Sequence, residues 1–291
     1  MLTAATLQGV YTPVVTPFTT SGELDLRSYR RYVERLVEQG IHGIVVAGTT
    51  GESPTLAWEE VERLYSATVE VLDALGRRIP VVVGTGTNDT IGTVRRTEQA
   101  LKLGADAALV VVPYYSRPSA AGIVEHFRLA AETGLPVIAY DIPYRTGVSL
   151  SVDTLRNILA IPGVIGLKDS SGGLSNVIEL SRTESKPILC GEDFYFFAAL
   201  CVGASGGMLA SSSVRTERFV EMFAQVRSGQ AIEAKAVFDE LVPLIRLLFQ
   251  EPNPAPLKWL LARQGMLDSG SLRLPMTEIT ESLRQELRAY V

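Results

Sequence analysis

Histidine and cysteine are scarce in this chain of 291 residues, with two of each. His42 and His126 lie far apart, with no cysteine or carboxylate at ligand spacing, so no metal is expected and no other cofactor is assigned. Cys190 and Cys201 form no CxxC pair and are too few for a disulfide framework, which suits a reducing cytoplasm. No stretch reaches about 18 uninterrupted apolar residues, and the opening MLTAATLQGVYTPVV lacks a basic region ahead of an apolar one. Neither membrane insertion nor export is expected. Runs of Lys or Arg are missing as well. With 27 basic against 32 acidic residues the net charge is -5, and no basic stripe is available for nucleic acid. What remains is small-molecule chemistry in a cytoplasmic protein.

The chain does have material for a core, being 46% hydrophobic and 20% charged. Short β-branched runs recur, each followed by a polar turn and a helical segment: GVYTPVVTPF (9–18), GIVVAGTTGE (43–52), PVVVGTGTND (80–89), AALVVVPYY (107–115) and PVIAYDIP (136–143). The series continues with GVIGLKDSSG (163–172), KPILCGED (186–193) and GASGGMLASSS (203–213), which makes about eight strands. Amphipathic stretches lie between them, among them Leu26 to Glu38, Trp58 to Leu75, Thr90 to Leu103 and Ala120 to Glu132. Gly40, Gly104 and Gly134 close several of these just before the next strand. Eight βα units with strands apolar on both faces predict a parallel sheet closed into a (β/α)8 TIM barrel. Apolar spacing turns wholly helical from about Glu217, with EPNPAP (251–256) as a helix entry. The organisation expected is a barrel over residues 1–225 and a C-terminal α-helical region over 226–291.

Ligand sites of parallel barrels lie at the carboxyl ends of the strands. There this chain carries Thr49 and Thr50, Tyr114 and Tyr115, Tyr140 and Arg145, Lys168, and the turn Ser211 to Ser213. Strand alternation turns Val164, Gly166 and Lys168 inward if Ile165 and Leu167 face the helices, with Gly166 leaving room beneath the lysine. A lysine at a strand end is ordinarily a solvated surface residue. An interior one has a depressed pKa, and its neutral amine can attack a carbonyl to form a Schiff base. Tyr140 has a hydroxyl suited to proton transfer, or is simply a rim aromatic. Arg145 offers a fork for a carboxylate, or is a surface arginine. GTTGES (48–53) suits a carboxylate but lacks the ending of a phosphate loop, and GTGTND lacks the full dinucleotide fingerprint.

Taken together, GTTGES (48–53), PYYSRPS (113–119), YDIPYRTG (140–147), GLKDSSG (166–172) and EPNPAPLKW (251–259) closely resemble the dihydrodipicolinate synthase family, also called 4-hydroxy-tetrahydrodipicolinate synthase. That family belongs to the pyruvate-dependent class I aldolases, which include N-acetylneuraminate lyase. The resemblance runs essentially end to end. It implies a barrel with a C-terminal helical region, assembled as a homotetramer of tight dimers or as a dimer. It also implies a lyase of lysine and diaminopimelate biosynthesis whose substrates are pyruvate and aspartate semialdehyde. In the family's pattern Lys168 forms the Schiff base with pyruvate, and Tyr140 shuttles protons. Thr49 and Tyr115 complete the relay, Tyr115 reaching in from a neighbouring subunit. Thr50 with Thr49 binds the pyruvate carboxylate, the backbone around Gly191 and Met208 lines the pocket, and Arg145 holds the acceptor's carboxylate.

A related Schiff-base aldolase or dehydratase of 2-keto-3-deoxy sugar acids is the alternative within the superfamily, and a catalytically silent binding protein the alternative outside it. Two departures stand out. Asp141 replaces the usual asparagine after the tyrosine, a carboxyl able to carry a negative charge near the acceptor site, and so to reposition Arg145 or widen acceptor choice. Trp58, Val61 and Gly92 stand where lysine-inhibited members often carry histidine and glutamate-type groups, so weak or absent inhibition by lysine is expected.

Overall fold

The β-branched runs pair as strands: β1 (Gly9–Pro13), β2 (Gly43–Val46), β3 (Val81–Gly84), β4 (Ala107–Val111), β5 (Val137–Asp141), β6 (Val164–Asp169), β7 (Ile188–Cys190) and β8 (Gly206–Met208). They close into a barrel in the order β1-β2-β3-β4-β5-β6-β7-β8, the TIM-barrel topology expected from the sequence. The structure is a computed structural model and describes residues 1–183 and 186–291. The helices that follow β1 to β7 are α1 (Leu26–Glu38), α2 (Trp58–Ala74), α3 (Thr90–Leu103), α4 (Ala120–Ala131), α5 (Pro143–Thr146) and α6 (Val152–Ala160), both after β5, α7 (Ser175–Ser181) and α8 (Phe196–Cys201). Four more complete the chain: α9 (Thr216–Arg227), α10 (Ala231–Leu248), α11 (Ala255–Arg263) and α12 (Glu281–Leu287). None of the described helices is long and apolar enough to cross a membrane.

The chain divides into two compact units. One comprises Met1–Tyr11 and Pro80–Met208. Within it β5 and β6 pair in parallel with one irregularity: Val137 faces Val164, but the next residue, Ile138, faces Gly166. Ile165 is thus an extra residue, a bulge that sets the downstream pairs Tyr140 with Lys168 and Asp141 with Asp169. Gly166 does not leave room beneath the lysine as expected. A Cβ there would lie 2.7 Å from Leu7 Cδ2 and 2.8 Å from the Pro187 carbonyl, so the space is filled by the segment before β1 and by the backbone entering β7.

The second unit comprises Thr12–Ile79 and Leu209–Val291. Helix α1 starts where the Asp25 side chain accepts from the Ser28 N–H at 3.0 Å, and it buries Tyr29, Tyr32, Val33, Leu36 and Val37 along one stripe. Its tyrosines are anchored at their hydroxyls, Tyr29 with Thr68 at 2.8 Å and Tyr32 donating to Ser213 at 2.7 Å. The C-terminal segment is tied into this unit by side chains. Arg31 donates to the Met266 carbonyl and to Asp268, and Arg273 donates to the Gly22 and Thr55 carbonyls and to Glu60.

Candidate active site

Lys168 ends in a nearly dry environment on β6, 6% exposed, beside its register partner Tyr140 on β5. Its Nζ lies 4.0 Å from the centroid of the Tyr140 ring. Burial lowers the amine's pKa from 10.5 to about 8, against the pull of Asp193 and Glu192, and Arg145 adds to the lowering. At pH 7.5 roughly a quarter of such an amine is neutral, against about one in a thousand for an ordinary lysine. The room for this side chain comes from Gly191, just after β7. A Cβ on Gly191 would sit 2.8 Å from Lys168 Cε and 2.1 Å from Ser170 Oγ.

Arg145 lies on the short helix α5 that follows β5 and is exposed, its guanidinium 5.4 Å from the Tyr144 ring centroid. Sequence reasoning overlooked the acidic pair Glu192 and Asp193 that follows β7. The Glu192 carboxyl is pushed up to about 7, mainly by burial and then by Asp193, while Lys168 and Arg145 pull it back. A carboxyl held near neutrality and felt by an amine and a guanidinium can exchange protons at working pH. Its only sequence signal was two acids at the carboxyl end of a strand, in KPILCGED.

Asp141 is 1% exposed, and neither carboxyl oxygen has a hydrogen-bond partner among the described residues. Burial, and then the neighbouring Asp169 charge, raise it to about 7, so below that pH it is an uncharged acid. Asp169 is better served, accepting from Ser171 at 3.2 Å and from Asn176 at 3.0 Å. The sign of the linkage follows. A carboxyl raised in the folded state leaves stability intact below its ordinary value of 3.8 and erodes it as pH climbs to about 7. About three decades of proton concentration correspond to roughly 4 kcal/mol at most. Asp141→Asn is therefore expected to raise the melting temperature more at pH 8 than at pH 5, by several degrees. A difference that stays constant across that range would contradict this account.

Thr49 and Thr50 follow β2 in a tight turn. The Gly51 N–H donates to the Gly48 carbonyl at 3.0 Å, and the Glu52 N–H to the Thr49 carbonyl at 3.1 Å. Thr50 is buried and its hydroxyl accepts from the Asn253 amide at 3.0 Å; Thr49 is half-buried. The similar turn GTGTND is a helix cap: Asp89 accepts from the Ile91 and Gly92 N–H groups, so its carboxylate already occupies the start of α3. Met208 closes β8, buried, in register with Tyr11. Tyr115 stands apart, 89% exposed and in the left-handed region at φ 72°. The structure thus groups Lys168, Tyr140, Gly191 and Arg145 with two unforeseen acids, groups Thr49 with Thr50, and turns Tyr115 to solvent.

The family model described as "Dihydrodipicolinate synthetase family" matches residues 6–291. A 4-hydroxy-tetrahydrodipicolinate synthase 2 of Clostridium acetobutylicum is 36% identical over 288 residues, covering 98% of this chain and 99% of that one. Among solved structures, a monomeric dihydrodipicolinate synthase variant superposes with a TM-score of 0.93 at 36% identity, covering 99% of this chain and 96% of that one. The chloride-inhibited dihydrodipicolinate synthase of Acinetobacter baumannii, complexed with pyruvate, gives a TM-score of 0.93 at 35% identity, with coverage of 98% and 97%.

Proposed function

The chain belongs to the dihydrodipicolinate synthetase family, and on that footing we propose that it condenses pyruvate, held as an imine on Lys168, with aspartate semialdehyde. It is a lyase of the class I aldolase type, acting in lysine and diaminopimelate biosynthesis as a 4-hydroxy-tetrahydrodipicolinate synthase. The observation that carries the chemistry is the buried Lys168 amine at about 8 against the Tyr140 ring. The neutral amine attacks the ketone carbon of pyruvate, and Tyr140 delivers and removes the protons that take the carbinolamine to the imine with loss of water. Loss of a methyl proton gives the enamine. Its carbon attacks the acceptor aldehyde, and the acceptor's amino group then displaces Lys168 as the ring closes.

In this scheme Thr49 and Thr50 hold the pyruvate carboxylate, Gly191 and Met208 line the pocket, and Thr49 and Tyr115 pass protons toward solvent. Arg145 selects the acceptor by its carboxylate, which favours an amino-acid aldehyde over a sugar. The exposed Tyr115 supports a homo-oligomer, dimer or tetramer, in which it serves a neighbouring copy; the monomeric relative marks oligomeric state as variable among such enzymes. We place the enzyme in the cytoplasm.

Steady-state kinetics test this scheme. Pyruvate with aspartate semialdehyde is expected to turn over at least a hundredfold more efficiently than any of a panel of 2-keto-3-deoxy acids, and millimolar lysine to inhibit weakly or not at all. Burial of Val61 and use of the Gly92 N–H in the Asp89 cap support the second expectation. A sugar acid as best substrate would overturn the choice of acceptor, and near-complete inhibition by sub-millimolar lysine the regulatory expectation.

A further inference from the structure

The C-terminal segment sends a lysine into the second unit that the reaction scheme does not use. Lys258, on α11, is wholly buried and donates to Glu52 Oε1 at 2.7 Å, with 0% and 1% of the two side chains exposed. Its Nζ also lies 4.4 Å from the Phe18 ring centroid. The other carboxylate oxygen of Glu52 accepts from the Arg273 N–H at 3.0 Å. Both oxygens are thus gripped by residues more than 200 positions away in the chain.

Glu52 sits in the left-handed region at φ 56°, a conformation that side chains resist unless the surroundings impose it. Its N–H closes the turn onto the Thr49 carbonyl. A buried ion pair is a poor source of net stability, because desolvation offsets most of the attraction, but it fixes geometry. The geometry fixed here is that of the Thr49–Thr50 turn. Asn253, five residues before Lys258 in the same segment, donates its amide to the Thr50 hydroxyl. An oxygen accepting that bond has its own hydrogen left to point at an anion.

We infer that Lys258, Glu52 and Asn253 are positioning residues for the pyruvate carboxylate: the ion pair sets the turn, and Asn253 aims the Thr50 hydroxyl as a donor. The inference rests on the proposal that Thr50 binds that carboxylate, so Thr50→Val is measured first. Its KM for pyruvate should rise at least tenfold, with KM for aspartate semialdehyde within about twofold. Asn253→Ala, at a half-buried site, should raise the pyruvate KM tenfold with kcat within threefold. Asn253→Asp should raise it further, because an acceptor there claims the Thr50 hydrogen. Lys258→Met should behave as Asn253→Ala does, and if that protein fails to fold, the two Asn253 variants decide.

A structural role alone would lower the active fraction and leave KM unchanged. If Thr50→Val raises the pyruvate KM and the Asn253 variants do not, the positioning assignment fails and the carboxylate role of Thr50 stands. If Thr50→Val itself has no effect, the carboxylate role fails and this inference falls with it.

Discussion

Lys168→Ala is expected to abolish the covalent adduct that borohydride traps with pyruvate and to lower kcat/KM by about 10⁴-fold or more, because the entire proposed route runs through that one amine. The fold should survive, since alanine at a buried strand end removes an expensive charge rather than a core contact. In the parent enzyme the trapping rate should climb about tenfold per pH unit below about 8 and flatten above it, following the neutral amine. Peptide mapping of the reduced adduct checks the first expectation. An adduct that persists in Lys168→Ala, or one that maps to Lys258, would move the nucleophile elsewhere.

Gly191→Ala should cost about a hundredfold in kcat. The backbone of Gly191 lies outside the left-handed region, so alanine is opposed by space alone. The new methyl would stand 2.8 Å from Lys168 Cε and 2.1 Å from Ser170 Oγ, and both must give way. The lysine chain shifts along with the serine, and displacing a group proposed to react by about 1 Å is worth roughly 10²-fold. Gly173→Ala is the matched control: among the described residues nothing lies within 4 Å of a Cβ there, so activity should stay within twofold of the parent. Equal activity in both variants would mean that Gly191 does not shape the lysine's position.

Local signals carried much of the architecture. The bounds of α1 and α3 were readable because Asp25 and Asp89, which cap them, stand immediately ahead of the helical spacing. Strand β8 is only three residues long although its sequence segment is longer. There a Cβ on Gly206 would come within 2.0 Å of the Gly9 carbonyl oxygen, a close approach of two backbones that no periodicity announces. Lys168 and Tyr140 were legible as strand-end polar residues. Glu192 and Asp193 were not, since acids in a loop look solvated until burial is known. The Lys258 and Glu52 pair was hidden for another reason, a separation of 206 residues with no repeating pattern to connect them.

The bulge at Ile165 makes the identity of the proposed nucleophile a matter of parity. Counted without interruption from the pair Val137 and Val164, the neighbour of Tyr140 would be Leu167; the odd residue advances the count by one and delivers Lys168. The placement of that amine beside Tyr140 thus depends on a single uncounted position near the opposite end of its strand. A drift in chain length there would silence the site with every side chain at the rim still present.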